Sequence, residues 1–326
     1  KTFAFGNDTI TYNGIIAGTG SLSLLNPATA YSGKFNLGGT NTYTGSTTIG
    51  SPTQANQETW LYLSSDSNLG AAPSSPTANS LILNGAGALL PIASFTLNAN
   101  RGLTIGSGSL ENRIYTPDGI TLTYNGAMQG AGALAKQCGT PCASDRGTLV
   151  LGGDNNGYTG TLNVYHGTLA ATNTNALGSS GVALTLWSFS NAALDIRNAA
   201  VNKSLSLSAP FGGGVTLRAS TGTSSLSGSI SANSAATVDV ASGAQLTLGS
   251  IISGSYGLTK TGIGTAVLSG ANSYAGVTTV NAGTLAVSNV SGLGNTGSGT
   301  SVASGATLDL QNVAVGAEAI ALSGGV

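Results

Sequence analysis

Residues 184–248 give the clearest indication of the fold, and their sequence is LTLWSFSNAALDIRNAAVNKSLSLSAPFGGGVTLRASTGTSSLSGSISANSAATVDVASGAQLTL. Pairs of aliphatic residues separated by one polar residue recur along it, as in Leu184-x-Leu186 and Leu205-x-Leu207. Such alternation turns one face of a short strand inward. The Gly, Ser and Asn residues between the pairs favour tight turns. The segment therefore predicts a series of short β-strands.

The aliphatic pairs return at a nearly constant interval. One series contains Leu184, Leu205, Leu226 and Leu246, which are almost evenly spaced. A second series, offset from the first by about half an interval, contains Leu194, Val215, Val238 and Leu258. A fixed period favours a solenoid, in which each coil stacks its aliphatic side chains on those of the coil before. We predict an all-β fold, a parallel β-helix (β-solenoid) with about 21 residues per coil; an antiparallel sandwich or barrel is the alternative.

Composition excludes several classes of function. The chain has 326 residues, of which 10 are Lys or Arg and 11 are Asp or Glu, so that its net charge is −1. Ten scattered cations cannot form the basic patch of a nucleic-acid-binding protein. No apolar run approaches the roughly 20 residues of a membrane span. With one His and two Cys, we expect no metal site and no cofactor.

A longer repeat lies on top of the short one. The segment 41–45 recurs at 156–160 and at 272–276, with an Asn at its start, a Tyr in its middle and a Gly at its end. The repeat-motif residues in these segments are Tyr43, Gly45, Tyr158, Gly160, Tyr274 and Gly276.

The spacing of these copies predicts the domain organisation. The three motif tyrosines follow one another at nearly equal intervals. We expect a single elongated β-helix over 1–326, with repeat copies of roughly 1–120, 121–245 and 246–326. Because the chain opens and closes in mid-repeat, we also expect it to be a fragment of a longer repeat protein.

The stretch 257–285, GLTKTGIGTAVLSGANSYAGVTTVNAGTL, resembles the autotransporter-associated β-strand repeat. That pattern places a Lys before a Gly-rich link, and Lys260 and Lys136 stand at this position in two copies, whereas the first copy has Leu24. The resemblance implies a right-handed β-helix in the secreted passenger region of an outer-membrane autotransporter or large surface adhesin. It also implies an extracellular or cell-surface location on a Gram-negative-type bacterium.

The resemblance favours a non-enzymatic structural and adhesive rod that mediates surface attachment or self-association. The expected partners are a host or neighbouring-cell surface, including its glycans, and further copies of the chain. A self-assembling filament or sheath subunit is one alternative. A polysaccharide-degrading β-helix enzyme is another, because this scaffold also carries lyases and glycosidases. Such enzymes use clustered ionisable groups, and the densest ones here are Arg101, Glu111, Arg113 and Asp118, with Asp195 and Arg197 on one strand. We interpret them as solvated charges on outward faces.

The two cysteines, Cys138 and Cys142, flank Gly-Thr-Pro. Gly and Pro can fold this link back sharply, and an exported protein meets an oxidising compartment, so a local disulfide is expected. Free thiols or a metal site are the alternatives.

His166, the one histidine, aligns with Ala282 of a later copy. We therefore expect His166 to be an exposed turn residue rather than a catalytic or pH-sensing one.

Three aromatic residues are the candidate ligand contacts. In the segment Trp60-Leu61-Tyr62-Leu63 the leucines take the inward phase, which turns Trp60 and Tyr62 outward. Trp187 likewise follows Leu184-x-Leu186 on the outward phase. Outward aromatic rings could stack on sugar rings or on partner chains. The alternative is that a neighbouring loop covers each of them.

Overall fold

A computed structural model describes residues 2–4, 9–26, 32–51, 58–108, 110–137, 146–189 and 191–324. It confirms the predicted fold class: the chain is an all-β, parallel β-solenoid of about 13 turns with about 23 residues per turn. A short 3₁₀ helix, Asp66–Leu69, is the only helix in the described part of the chain. Among the described residues no helix is long and apolar enough to cross a bilayer.

The chain divides into two compact units. The first comprises Lys1–Asn163 with Asn175–Val182, and the second comprises Val164–Thr174 with Ala183–Val326. Each unit is built from strands of two to seven residues, and all the strand pairings described below are parallel.

The strands up to the boundary between the units are β1 (Thr2–Ala4), β2 (Thr9–Tyr12), β3 (Leu22–Leu25), β4 (Ser32–Leu37), β5 (Thr47–Ile49), β6 (Glu58–Leu63), β7 (Thr77–Leu83), β8 (Gly87–Pro91), β9 (Phe95–Leu97), β10 (Arg101–Ile105), β11 (Asn112–Tyr115), β12 (Thr121–Tyr124), β13 (Met128–Gln129), β14 (Leu134–Gln137), β15 (Thr148–Leu151) and β16 (Leu162–Val164). Within the first unit they form three faces, in the orders β1-β3-β5-β7-β10-β13, β2-β4-β6-β8-β11-β14 and β9-β12-β15.

The second unit contains β17 (Gly167–Ala171), β18 (Leu184–Trp187), β19 (Asn191–Ile196), β20 (Ala200–Val201), β21 (Leu205–Ser208), β22 (Gly214–Ala219), β23 (Thr223–Leu226), β24 (Ile230–Ala232), β25 (Ala236–Val240), β26 (Gln245–Leu248), β27 (Ile252–Gly254), β28 (Leu258–Thr261), β29 (Thr265–Leu268), β30 (Thr278–Val280), β31 (Thr284–Val287), β32 (Thr300–Val302), β33 (Thr307–Leu310) and β34 (Ile320–Leu322). Its faces run β18-β21-β24-β27, β17-β19-β22-β25-β28-β30-β32-β34 and β20-β23-β26-β29-β31-β33.

The number of residues in one turn of the solenoid, which we call a lap, varies along the chain. The mean lap of about 23 residues is slightly longer than the predicted lap of about 21. In the first unit Thr47 pairs with Leu81, so the lap that separates these two residues is long. In the second unit the lap from Thr265 to its partner Thr284 is little more than half as long. Excursions and short turns are added between strands, where they leave the stacked ladder unchanged.

This variation corrects the first aliphatic series. Leu184 stacks on Leu205 as expected, but Leu205 then pairs with Ile230 rather than with Leu226. Leu226 lies on a different face, where it pairs with Leu248. The nearly constant spacing of this series therefore links leucines that lie on different faces of the solenoid. The second series is displaced as well, because Leu194 pairs with Leu217 rather than with Val215.

A buried asparagine joins three successive laps at the corner of each long repeat. In the third copy, Asn272 Oδ1 accepts the N–H of Ile252 in the lap before at 2.8 Å, and its Nδ2 donates to the carbonyl of Gly292 in the lap after at 2.7 Å. In the first copy, Asn41 accepts from Ile16 at 2.7 Å and donates to Asn68 at 2.6 Å. A side-chain amide can satisfy a donor and an acceptor at once, so one residue replaces two missing ladder bonds.

The second copy uses a different asparagine from the one that the sequence alignment selects. The alignment matches Asn156 with Asn41, but Asn156 is exposed. Asn155 is fully buried and makes the bridge, accepting from Met128 N–H at 2.7 Å and donating to the Ala176 carbonyl at 2.6 Å. The turn in this copy contains one extra residue before Tyr158, which moves the bridging position by one.

The motif tyrosine fills the corner beneath this bridge. Tyr274 is fully buried, and its hydroxyl hydrogen-bonds with Thr278 Oγ1 at 2.6 Å. In the next lap Gly294 has φ +80°, and a Cβ there would lie 2.7 Å from the Tyr274 carbonyl oxygen and 2.9 Å from its ring. Gly276 lies against the previous lap, where a Cβ would be 2.1 Å from Gly257 N. The spacing of Tyr and Gly in the motif is therefore set by laps in direct contact.

The motif lysine is also structural. Lys260 is 1% exposed, and its ammonium group donates to the carbonyls of Thr261, Gly262 and Ala282 at 2.7, 2.7 and 3.1 Å. Desolvation lowers the pKa of Lys260 to about 8, an effect that nearby Asp239 opposes. Lys136, at the equivalent motif position, is likewise buried. The lysine thus satisfies carbonyls of its own turn and of the turn in the next lap.

The adjacent asparagines of the second copy provide a matched test of the bridge. We expect Asn155→Ala to lower the free energy of unfolding by about 2–4 kcal/mol, because it leaves a buried N–H and a buried carbonyl unpaired. Asn156→Ala should change it by less than about 0.5 kcal/mol. Urea unfolding followed by far-ultraviolet circular dichroism measures both. Equal effects of the two substitutions would contradict the assignment.

Burial of the motif tyrosines predicts a loss of stability at high pH. Desolvation raises the pKa of Tyr274 to about 12, partly offset by its hydrogen bond with Thr278. A raised pKa in the folded state means that the stabilisation is complete below pH 10 and is lost as the pH rises towards 12. Two pH units correspond to about 2–3 kcal/mol.

Tyr274→Phe isolates this contribution, since every other ionisable group is shared with the parent chain. Although the variant should be less stable at pH 8 by about 1 kcal/mol for the lost hydrogen bond, its stability should fall less steeply between pH 10 and 12. Urea midpoints at four pH values give the slopes. If the two slopes coincide, Tyr274 does not titrate as its burial requires.

Candidate functional site

The second unit carries a column of aromatic rings along one corner. His166 lies between β16 and β17, Phe189 between β18 and β19, and Phe211 between β21 and β22. The rings of His166 and Phe189 are stacked at 5.5 Å with an interplanar angle of 11°, and those of Phe189 and Phe211 at 5.0 Å and 13°. We call these three residues the aromatic column.

Exposure increases along this column. His166 is 9% exposed, Phe189 41% and Phe211 69%. Tyr165 packs against the side of Phe189, with ring centroids 5.7 Å apart and tilted by 37°. Stacked aromatic pairs contribute about 0.5–1.5 kcal/mol each beyond their buried area, so the column fastens its laps together while it still presents open ring surface at the Phe211 end.

The predicted contact Trp187 lies on the strand that leads to this corner. It is 40% exposed at the end of β18, and the residue in register with it in the next lap is Ser208. A small neighbour leaves the indole uncovered. The outward orientation predicted for Trp187 therefore agrees with its exposure, and Trp187 and Phe211 are both large apolar groups open to solvent in the second unit.

Trp60 differs from its prediction. It is only 4% exposed, because it packs in a cluster with Ala88, Leu90 and Tyr115. Its ring stacks on that of Tyr115 at 4.6 Å. The strand alternation does put Trp60 on the side opposite Leu61, but large side chains from neighbouring laps cover it there. The expectation that Trp60 is an open ligand contact is thus wrong.

Polar contacts fix this cluster further. Trp60 Nε1 donates to Glu58 Oε2 at 2.6 Å, and Glu58 also forms an ion pair with Arg113. Lys34 Nζ lies 5.5 Å from the centre of the Trp60 ring. Tyr62 is half-buried against the cluster, so its accessibility is smaller than the sequence pattern suggests.

Most of the ionisable residues considered for catalysis have separate structural partners, whereas Asp118 is exposed. Arg101, 3% exposed, pairs with Asp66 at 2.9 Å and donates to the Gly70 carbonyl at 2.6 Å. Asp195 is 1% exposed and accepts from Arg197 Nε at 2.7 Å and from Ser220 Oγ at 2.8 Å. The interpretation of Asp195 and Arg101 as solvated charges is wrong, since both are buried. Arg101 joins two laps through its ion pair with Asp66, and Asp195 does so through its hydrogen bond with Ser220.

Two further predictions have different outcomes. His166 does lie in a turn, but it is not exposed, because Phe189 covers its ring. Cys138 and Cys142 lie outside the described residues, so their disulfide stays a prediction. Among the residues that the structure describes, no group of three or more His, Cys, Asp or Glu side chains could hold a metal ion.

The sequence contained a signal for the aromatic column that the strand pattern does not show. His166, Phe189 and Phe211 are almost evenly spaced, and their interval is close to one turn of the solenoid, which averages about 23 residues. All three lie in turns, whereas the aliphatic alternation selects residues in strands. A second pattern to look for in solenoid sequences is therefore a set of aromatic residues that lie between strands and are spaced by the length of one lap.

Comparison with known proteins adds two findings. The family described as the passenger-associated-transport-repeat matches residues 30–51, 144–171 and 258–287. A protein named adhesin BmaC autotransporter, from Brucella suis biovar 1 (strain 1330), is 34% identical to this chain over 247 residues, which cover 74% of this chain and 6% of that protein. The chain thus spans a small part of the length of this relative. No solved structure matches the chain.

The contrast between the two tryptophans can be measured. Trp60→Phe leaves Trp187 as the one indole, and we expect red-shifted emission and strong quenching by acrylamide, since Trp187 is exposed. Trp187→Phe leaves Trp60, for which we expect blue-shifted emission and a several-fold smaller quenching constant. In urea both variants should be quenched equally. Equal quenching in the folded state would contradict the burial of Trp60.

Proposed function

Because this chain is an autotransporter passenger segment that carries passenger-associated-transport repeats, we propose that it is a non-enzymatic structural and adhesive β-helix that mediates attachment to a host or neighbouring-cell surface. The family and the adhesin relative imply a secreted, cell-surface location in a Gram-negative bacterium. The relative is named an adhesin, which supports attachment as the role of this segment as well.

The exposed end of the aromatic column carries this proposal. Phe211 and Trp187 place open ring surface on a chain in which only 6% of residues are charged. Aromatic side chains bury a large area on contact and lose little conformational entropy, which is why they dominate binding energies at interfaces. The open face of Phe211 suits a sugar ring or an aromatic group of a partner chain.

Self-association is the second candidate, and the same corner favours it. A net charge of −1 gives little repulsion between copies, and two Phe211 rings can extend one stack into another. A filament or sheath would then be built through this contact rather than through recognition of a foreign surface.

An enzymatic role has less support. Glycoside hydrolysis needs two carboxyl groups on either side of one scissile bond. Asp195 is buried and engaged by Arg197 and Ser220, and Glu58 is held by Trp60 and Arg113. Carboxylates with these fixed structural partners are poorly suited to exchange protons with a substrate.

Adhesion of the double variant Trp187→Ala/Phe211→Ala tests the role of the column. Beads coated with the chain should bind epithelial cells at least tenfold less well, since truncating two central aromatic residues costs well over about 1.4 kcal/mol. Tyr256→Ala is the matched control, because Tyr256 is 48% exposed in the same unit but lies outside the column.

Light scattering on the same proteins distinguishes the second candidate. A monomeric parent chain whose beads still adhere supports attachment. Oligomers that the double variant abolishes, without adhesion to cells, support self-association. Wild-type adhesion and wild-type mass in the double variant would remove both roles from this corner.

A further inference from the structure

A cleft of about 630 Å³ lies in the first unit, beside the exposed first half of β7. It exists because of the long lap that separates Thr47 from its partner Leu81. Its lining includes Thr44, Ser46, Ser74, Thr77, Asn79 and Arg101. We call it the hydroxyl cleft, since Ser and Thr form the largest part of its wall.

The lining is polar and apolar in about equal parts, and it offers no free charge to a ligand. Arg101 is its one ionisable residue among those described, and the guanidinium group is occupied by the Asp66 carboxylate and by the carbonyls of Leu69 and Gly70. Small apolar groups such as Pro73 alternate with the hydroxyls. A site of this volume with short hydroxyl and amide groups fits a small ligand rich in neutral hydrogen-bonding groups.

Asn79 is a lining residue whose side chain is held by hydrogen bonds from two neighbouring laps. Its backbone has φ +58°, a left-handed conformation that costs free energy for a residue other than Gly. Its Oδ1 accepts from Thr104 Oγ1 at 2.7 Å and from Gln129 Nε2 at 3.1 Å. Gln129 Nε2 also donates to Thr104 Oγ1 at 3.1 Å, so residues of three successive laps fix the orientation of one amide.

Asn79 is one of the residues that line the cleft, and its amide oxygen is engaged by the next two laps. With Oδ1 occupied by two donors, the NH₂ group of Asn79 is the part of the amide that can serve a ligand. A donor held in place before binding loses little entropy when it is used. The positive φ of Asn79 falls where the pairing of β7 with β10 shifts register, between the pair of Thr77 with Arg101 and the pair of Leu81 with Leu103.

We propose that the hydroxyl cleft binds a neutral polyhydroxylated ligand, the chemistry of a short uncharged oligosaccharide, with the Asn79 amide as its fixed hydrogen-bond donor. The inference rests on the first unit alone and is independent of the aromatic column. Anionic sugars fit the cleft less well, since its one cation is already neutralised by Asp66.

The test begins with the full chain on an array of uncharged, sialylated and sulfated oligosaccharides, followed by calorimetric titration of the best uncharged one. Asn79→Asp keeps the acceptor for Thr104 and Gln129 but removes the NH₂ donor. Asn79→Gly removes the amide and suits the positive φ. We expect both variants to bind at least tenfold more weakly and to keep the circular dichroism spectrum of the parent.

Phe211→Ala is the control, and it should bind the oligosaccharide as the parent does. Binding that both Asn79 variants lose and that Phe211→Ala keeps supports the proposal, whatever happens to cell adhesion. The proposal is overturned if no uncharged oligosaccharide binds, if charged ones bind better, or if the Asn79 variants bind as tightly as the parent chain.

Discussion

The whole structure depends on pairing the backbone groups of each lap with the laps before and after it. Strands do this through their ladder, but at corners the chain turns away and the ladder stops. A buried N–H or carbonyl without a partner costs about 1–3 kcal/mol. The asparagines Asn41, Asn155 and Asn272 meet this need with one side chain each, since an amide accepts from one lap and donates to the other.

The other motif residues follow from this corner. Once the bridge holds laps in contact, Tyr274 fills the space beneath it, and only glycine fits where the next lap touches that ring. Lys260 donates to two carbonyls of the turn that follows it and to one carbonyl of the turn in the next lap. The repeat motif is therefore a description of how a corner is closed, and it says little about any ligand. Residues that bind a ligand or partner are therefore expected where the sequence of a lap differs from the repeat motif.

Two such departures distinguish this segment. In the second unit, rings replace the polar residues of one turn over three laps and end at the exposed Phe211. In the first unit, the long lap between Thr47 and Leu81 opens the hydroxyl cleft, where Asn79 is strained. The regular coils carry both features as rigid supports. A solenoid built of repeats can accept such changes, because loops between strands tolerate insertions.

The fold class and the repeat family could be predicted from the sequence alone, because alternation at period two and the repeat motif are local properties of the chain. Strand register, side-chain burial and the contacts of each side chain could be assigned only from the tertiary structure. Because laps differ in length by nearly twofold, a fixed step assigns Leu226 to the wrong face, and one extra turn residue selects Asn156 instead of Asn155. Alternation gave the side of the strand on which Trp60 lies, but only the stacked laps decided that Tyr115 covers it while Trp187, beside Ser208, stays open.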